Sequence, residues 1–316
     1  MDNRINIYCE FAFFEKFADL CPQTKNGIPH KDYKHWECYF DMFCGKNDIV
    51  ITDIEKKEFI SQCNDDSIAG QILKLILESH ADGRGNLVCL SNEKTNMETH
   101  EQDDNGLDYF SKHEQTIFFL NQNEETCRYR ENNYGLIFIS PETLLNRAEL
   151  LFTPQRYEIN ENTKNWSFLK KNISPCNTIY LIDNYILGKE SSIIENNIKS
   201  LFDAILPSIL NKRSFKVIVS TEIPKGQDEQ WANKRAEKLK RWIEELRSYK
   251  IEVFINYTKN KHHDRNLFSN YFLFDCGYGF ILSENEKQKG TKLTIFPITH
   301  RSTLAFMQSF KDTINK

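Results

Sequence analysis

The sequence predicts an α/β fold in two domains, residues 1–160 and 161–316, the first built on a mostly parallel sheet and the second on an α/β/α arrangement. Three observations carry that expectation. Short apolar runs rich in Ile, Val and Phe alternate with amphipathic stretches, and a polar interval at 153–174 separates two such series. The chain has 316 residues, more than the roughly 100–200 of an ordinary domain. Charge divides as well: residues 1–165 hold 17 Lys and Arg against 29 Asp and Glu, a net −12, and the remainder carries +8. This division fits an acidic part for metal beside a basic part for phosphate, and it equally fits two domains that attract each other.

In the first domain, Ile5–Cys9 has the apolar character of a strand, and Phe11–Leu20 that of an aromatic helix. A Gly- and Pro-containing loop, 22–31, follows. Tyr33, Trp36, Tyr39, Phe40 and Phe43 recur at helical spacing, which predicts a helix over 32–44. Asp48–Thr52 is a strand, and Asp53–Cys63 a helix for which Thr52 or Asp53 supplies the cap. Ile68–Ser79 is a helix with Ile68, Ile72, Leu75 and Ile76 on one face, and Asn86–Leu90 is a strand. Residues 91–108 are almost wholly polar and form a surface loop. Thr116–Leu120 and Leu136–Ser140 are buried strands, and 142–151 is a helix. Interleaved strands and helices favour parallel pairing.

After the polar interval, read as the linker, the pattern restarts. Thr178–Ile182, Phe215–Val219 and Ile251–Ile255 are strands, with helices over 191–210 and 227–250 between them. The long helix has an apolar stripe of Trp231, Leu239, Trp242, Ile243, Leu246 and Tyr249. Strands over 264–274, 278–283 and 292–296 then look antiparallel, and a helix over 302–314 closes the chain.

Several classes drop out. No apolar run approaches the roughly 20 residues that cross a membrane. The nine cysteines stand singly without a CxxC pair, so reduced thiols in a cytoplasmic protein are expected. No Gly-rich loop ends in Lys-Ser or Lys-Thr, and there is no GxSxG elbow and no HExxH helix.

The stretch from Lys259 to Phe280 carries the most chemistry. A His followed two residues later by a cation, beside a β-α-β-α-β run, suits phosphate: the imidazole can attack phosphorus and the cation can stabilise its oxygens. Residues 176–316 here resemble a phospholipase D-type domain, whose signature is His-x-Lys-(x)4-Asp and then a Gly-rich turn. His263 stands at the His position, Arg265 at the Lys position and Asn270 at the Asp position, with Gly277 and Gly279 in the turn. The family carries two such motifs and this chain has one. The resemblance implies a relative that binds phosphate without turnover, because the group that orients the nucleophile is replaced. A bland reading of His263-Asp264-Arg265 is an ion pair that pins a strand end. The helix at 227–250 adds Lys234, Arg235, Lys238, Lys240, Arg241 and Arg247 among Glu237, Glu244 and Glu245. These form either a self-paired solvated face or, with Lys259, Lys261 and Arg265, a surface that tracks phosphates.

In the first domain, Glu10, Glu58 and Glu142 end or follow three strands, where the carboxyl edge of a parallel sheet gathers ligands. Met together, they could bind Mg²⁺ or Mn²⁺ and activate water on a phosphodiester. The arrangement resembles a PIN-like nuclease domain, with Glu at positions where that family prefers Asp. Solvated or capping glutamates are the plain alternative. Two functions are therefore expected: a metal-dependent nuclease with a nucleic-acid-binding second domain, or a non-enzymatic adaptor or specificity subunit of a larger nucleic-acid-associated complex. The Asn- and Lys-rich bias fits a prokaryote of low GC content, where such chains often serve antiviral defence.

Overall fold

A computed structural model describes residues 4–22, 32–91, 113–258 and 265–314, apart from 82, 84, 161, 162, 164, 172–174, 189, 190, 278, 281 and 283–290. The chain divides into two compact units: 1–131 with 136–153, and 132–135 with 154–316. The boundary expected at 160 moves earlier because strand β6 (Gln155–Ile159) pairs with a strand of the second unit. Among the described residues, no helix is long and apolar enough to cross a membrane.

The first unit holds a five-stranded, all-parallel sheet of order β3-β2-β1-β4-β5, made of Asn6–Glu10 (β1), Asp48–Thr52 (β2), Asn86–Leu90 (β3), Thr116–Phe119 (β4) and Ile137–Ile139 (β5). Consecutive strands lie side by side until the order reverses at β1, so β4 leaves on the other side. The carboxyl ends of β1 and β4 thus flank the switch point of a doubly wound sheet. Helices α1 (Phe11–Asp19) and α2 (Tyr33–Cys44) bury the expected aromatic face. Phe17 stacks on Trp36 at 4.9 Å, and Phe43 meets both Phe14 and Phe119 at about 5 Å. Phe13, Phe17, Tyr39 and Phe43 are fully buried. Helix α3 (Lys56–Gln62) starts after an N-cap at Glu55. Asp53 is not the cap; its φ of 66° places it in the left-handed region, one residue past β2. Helix α4 (Ile68–Ala81) buries Ile72, Leu73 and Ile76 but leaves Ile68 and Leu75 exposed. Helices α5 (Glu124–Tyr134) and α6 (Leu144–Phe152) flank β5, and an ion pair between the buried Glu131 and the half-buried Arg147, at 2.8 Å, ties them together. Glu131 also accepts the Phe138 N–H; burial nonetheless pushes its carboxyl above the usual range against the pull of Arg147.

The second unit holds seven strands in the order β6-β12-β11-β10-β7-β8-β9. Strands β7 (Thr178–Ile182), β8 (Phe215–Thr221) and β9 (Ile251–Tyr257) are parallel. Strands β10 (Asn266–Ser269), β11 (Phe272–Cys276) and β12 (Thr291–Pro297) run antiparallel to their neighbours. Helix α7 (Ser191–Ile205) links β7 to β8, and helix α8 (Glu229–Glu244) links β8 to β9. Helix α9 (Arg301–Ile314) packs Phe306 and Phe310 against Phe268 of β10. The expected strand at 264–274 is in fact a hairpin. The Ser269 hydroxyl accepts the Tyr271 and Phe272 N–H groups and turns the chain where no Gly or Pro stands.

Candidate functional site

Because β7, β8 and β9 are parallel, their carboxyl ends share one rim, and antiparallel β10 begins there, with Asn266 opposite Ile182. This brings Asp183, Asn184 and Tyr185 after β7, Glu222 after β8 and Arg265 before β10 to the same edge. Asp183 is buried; its Oδ1 accepts the Tyr185 N–H at 2.9 Å and lies 3.8 Å from Arg265 Nε. The Arg265 guanidinium sits over the half-exposed Tyr185 ring, 4.8 Å from its centre. Asn184 Nδ2 donates to Glu222 Oε1 at 3.0 Å. The Arg265 stem lies on Gly279, where φ is 85° and a Cβ would stand 2.3 Å from Arg265 Cδ. Glycine is thus required twice over, by backbone conformation and by the arginine stem. The turn is closed by the Gly279 N–H on the Cys276 carbonyl at 2.8 Å. The rim presents a cation held in place by an acid, an aromatic face and a glycine.

Of the residues expected at this site, Arg265 is on the rim, and Lys259, Lys261 and His263 lie outside the described residues. Asn270 does not belong to the rim. It follows β10 at the opposite edge, about 16 Å from Arg265 at 3.3 Å per strand residue. Its Oδ1 accepts the N–H groups of Asn177 and Thr178 at 2.9 and 3.1 Å, and its Nδ2 donates to Asn177 Oδ1 at 2.9 Å. The amide therefore closes the start of β7. An aspartate could accept the same two N–H groups but could not donate to Asn177.

The three glutamates of the first unit are not assembled into a metal centre. Glu10 is buried at the carboxyl end of β1, where Oε2 accepts the Asn121 N–H at 2.5 Å and Oε1 the Gln122 amide at 3.4 Å. It braces the β1–β4 switch point. Burial drives the neighbouring Cys9 thiol well up, and the Glu10 and Asp53 charges raise it further. Glu142 Oε2 accepts the Glu124 N–H at 3.0 Å, so it caps the positive end of α5. Glu58 is exposed in the first turn of α3. Among the described residues, no three His, Cys, Asp or Glu side chains form a group able to hold a metal ion. Glu10, Glu58 and Glu142, the donors expected for Mg²⁺ or Mn²⁺, do not form such a group.

Helix α8 supplies the larger charged surface. Asp228 caps it, accepting the Trp231 N–H at 2.8 Å. Its buried residues are Ala232, Ala236, Leu239 and Ile243. That stripe differs from the expected one: the alanines join the core line, and Trp231 and Trp242 move to its flank, partly exposed. Lys234, Lys238 and Arg241 are exposed and follow at four- and three-residue steps, so they form one row along the outer face. Among the described residues, no carboxylate pairs with Lys234, Lys238, Lys240 or Arg241. Glu237 nevertheless stands four residues before Arg241 and Glu245 four after it, so carboxylates interleave with this face without closing an ion pair. Glu237 and Glu244 occupy one flank of the cation row. Trp231, Arg235, Lys238 and Trp242 form the line on the other, with the Arg235 guanidinium 5.0 Å from the Trp231 ring centre. Arg247 is not part of this surface. Its guanidinium binds the Asp203, Leu206 and Pro207 carbonyls and the Asp203 carboxylate, capping α7.

No family model matches the sequence, and no curated protein does. Among solved structures, that of polyphosphate kinase from Porphyromonas gingivalis is similar over 52% of this chain, with 12% identity and a TM-score of 0.31. The match covers 26% of that chain. A likeness of this size carries no argument about either unit.

Proposed function

We propose that this protein binds nucleic acid through its second unit and acts as a non-catalytic, nucleic-acid-associated module rather than as a nuclease. The observation that supports this most is the exposed row Lys234, Lys238 and Arg241, which no described carboxylate neutralises. Three close cations with no described carboxylate in ion-pair contact repel one another, and a polyanion relieves that repulsion with release of its own counterions. Arg265, oriented on the rim by Asp183, Tyr185 and Gly279, offers a further phosphate contact. The phospholipase D-like reading of this half keeps Arg265 and the Gly277–Gly279 turn, while Asn270 serves the fold. A metal-dependent nuclease would need Glu10, Glu58 and Glu142 around one ion, and each has a separate local role or none.

The test is fluorescence anisotropy with labelled RNA and DNA over a salt series. Each neutralised phosphate contributes about −0.7 to −0.9 to the slope of log K against log salt. The variant K234A/K238A/R241A is expected to flatten that slope by about 2. A slope unchanged by the triple substitution contradicts the reading.

A further inference from the structure

We infer that the ligand of helix α8 is single-stranded nucleic acid, with Trp231 and Trp242 stacking on its bases while Lys234, Lys238 and Arg241 hold its phosphates. This rests on the nucleic-acid reading above and narrows it to a substrate class. A surface that only tracks phosphates needs cations alone. This one sets two large aromatic rings beside the cation row, and both keep part of their surface in solvent although the core stripe passes next to them.

The placement follows from helix geometry. Trp231, Arg235, Lys238 and Trp242 succeed one another at steps of four, three and four residues and so share a line. Lys234, Lys238 and Arg241 make the adjacent line, spaced about 6 and 4.5 Å along the axis at 1.5 Å per residue. The rings stand about 16 Å apart on the same scale, with the cations between them. Glu237 and Glu244 lie on the far side of the cations and repel a backbone from that flank, while the exposed Glu245, four residues after Arg241, ends the cation row. A bound strand is thus confined to the tryptophan side, between Lys234 and Arg241. Arg235 over the Trp231 ring extends the stack with a planar cation, a partner that a base face also accepts.

Duplexes hide their base faces, so only an unpaired strand can use the rings; each base stacked on an aromatic strengthens binding by about tenfold or more. The polar end of the surface is fixed as well. Tyr257 at the end of β9 donates to Asn233 Oδ1 at 2.7 Å, holding the first turns of α8 against the sheet.

The experiment compares a labelled oligo-deoxythymidine strand, alone and annealed to its complement, on the full-length wild type and two double variants. Two stacked bases, offset in part by the denser phosphates of the duplex, are expected to make wild type bind the single strand about tenfold more tightly than the duplex. W231L/W242L keeps apolar cover for the core but loses the rings, and its single-strand affinity is expected to fall to the duplex level. W231F/W242F is expected to retain most of the preference, which separates stacking from damage to the fold. Equal binding of strand and duplex by wild type, or a preference that survives the leucine variant, overturns the inference. Should wild type bind both forms equally with a slope that K234A/K238A/R241A flattens, only this narrowing falls. Should it bind neither, the nucleic-acid reading falls with it.

Discussion

Replacing Asn270 separates a structural role from a catalytic one. Its side chain makes three hydrogen bonds at the buried start of β7, two from backbone N–H groups and one to Asn177. Asn270 is 2% exposed and Thr178 is 2% exposed, so water cannot substitute readily. In N270A the two N–H groups lose their acceptor, and the Asn177 side-chain carbonyl keeps the Thr178 hydroxyl at 3.1 Å. A buried group left unsatisfied costs about 1–3 kcal/mol. Partial relaxation brings the expected loss to about 3 kcal/mol, or about 6–12 °C in melting temperature for a unit of this size. N270D keeps both acceptors but sets a carboxylate oxygen against Asn177 Oδ1, costing about 1–3 kcal/mol. Aspartate is the residue that the phospholipase D-like signature would have here, so N270D also tests turnover. Calorimetric melting of wild type and both variants, with a chromogenic phosphodiester assay alongside, checks this. Melting of N270A within about 1 °C of wild type, or phosphodiesterase activity appearing in N270D, refutes the reasoning.

Other expectations follow from the same contacts. R265A removes a phosphate contact and should weaken nucleic-acid binding about threefold to tenfold; equal affinity would count against the rim. Incubating wild type with RNA or DNA and Mn²⁺ should give no cleavage that E10Q abolishes, whereas Glu10-dependent cleavage would restore the nuclease reading. Hydrogen bonds from Lys170 and Arg247 hold the Asp203 carboxyl below the usual carboxylate range. A lowered folded-state value means that its stabilisation is complete above the unfolded value near 3.8 and is lost as pH falls through the lowered one. D203N should therefore flatten the acid limb of a stability–pH profile, and an unchanged limb would show that the contacts do not stabilise the fold. R247A should destabilise the second unit by about 2–4 kcal/mol in urea titration, since it strips several carbonyls of their donor.

The alternation of strands and helices was legible because periodicity reports burial directly. Aromatic spacing in 32–44 and the apolar runs at β7, β8 and β9 placed real elements. Strand β6 was not legible. Gln155-Arg-Tyr-Glu-Ile carries charge at alternate positions because it is an edge strand with one solvated face, and it reads as linker. The β10–β11 turn is made by a serine hydroxyl, a signal weaker than Gly or Pro. The α8 stripe was misplaced because Ala232 and Ala236 contribute little hydrophobicity yet set the buried line. Side-chain direction at strand ends cannot be read from order along the chain. Glu10, Glu58 and Glu142 follow three strands, but one braces a crevice, one is solvated and one caps a helix. Asp183 and Tyr185 were missed as site residues for the same reason, since only the register of β7 with β10 brings them to Arg265.

Photo-crosslinking tests the central claim most directly. A thio-substituted single strand is bound to the intact protein, irradiated and digested, and the adducts are located by mass spectrometry. Adducts concentrated on peptides within 229–247, with a minor site at Arg265, are the expected result. Adducts confined to the first unit, or an even scatter over exposed lysines, would contradict it.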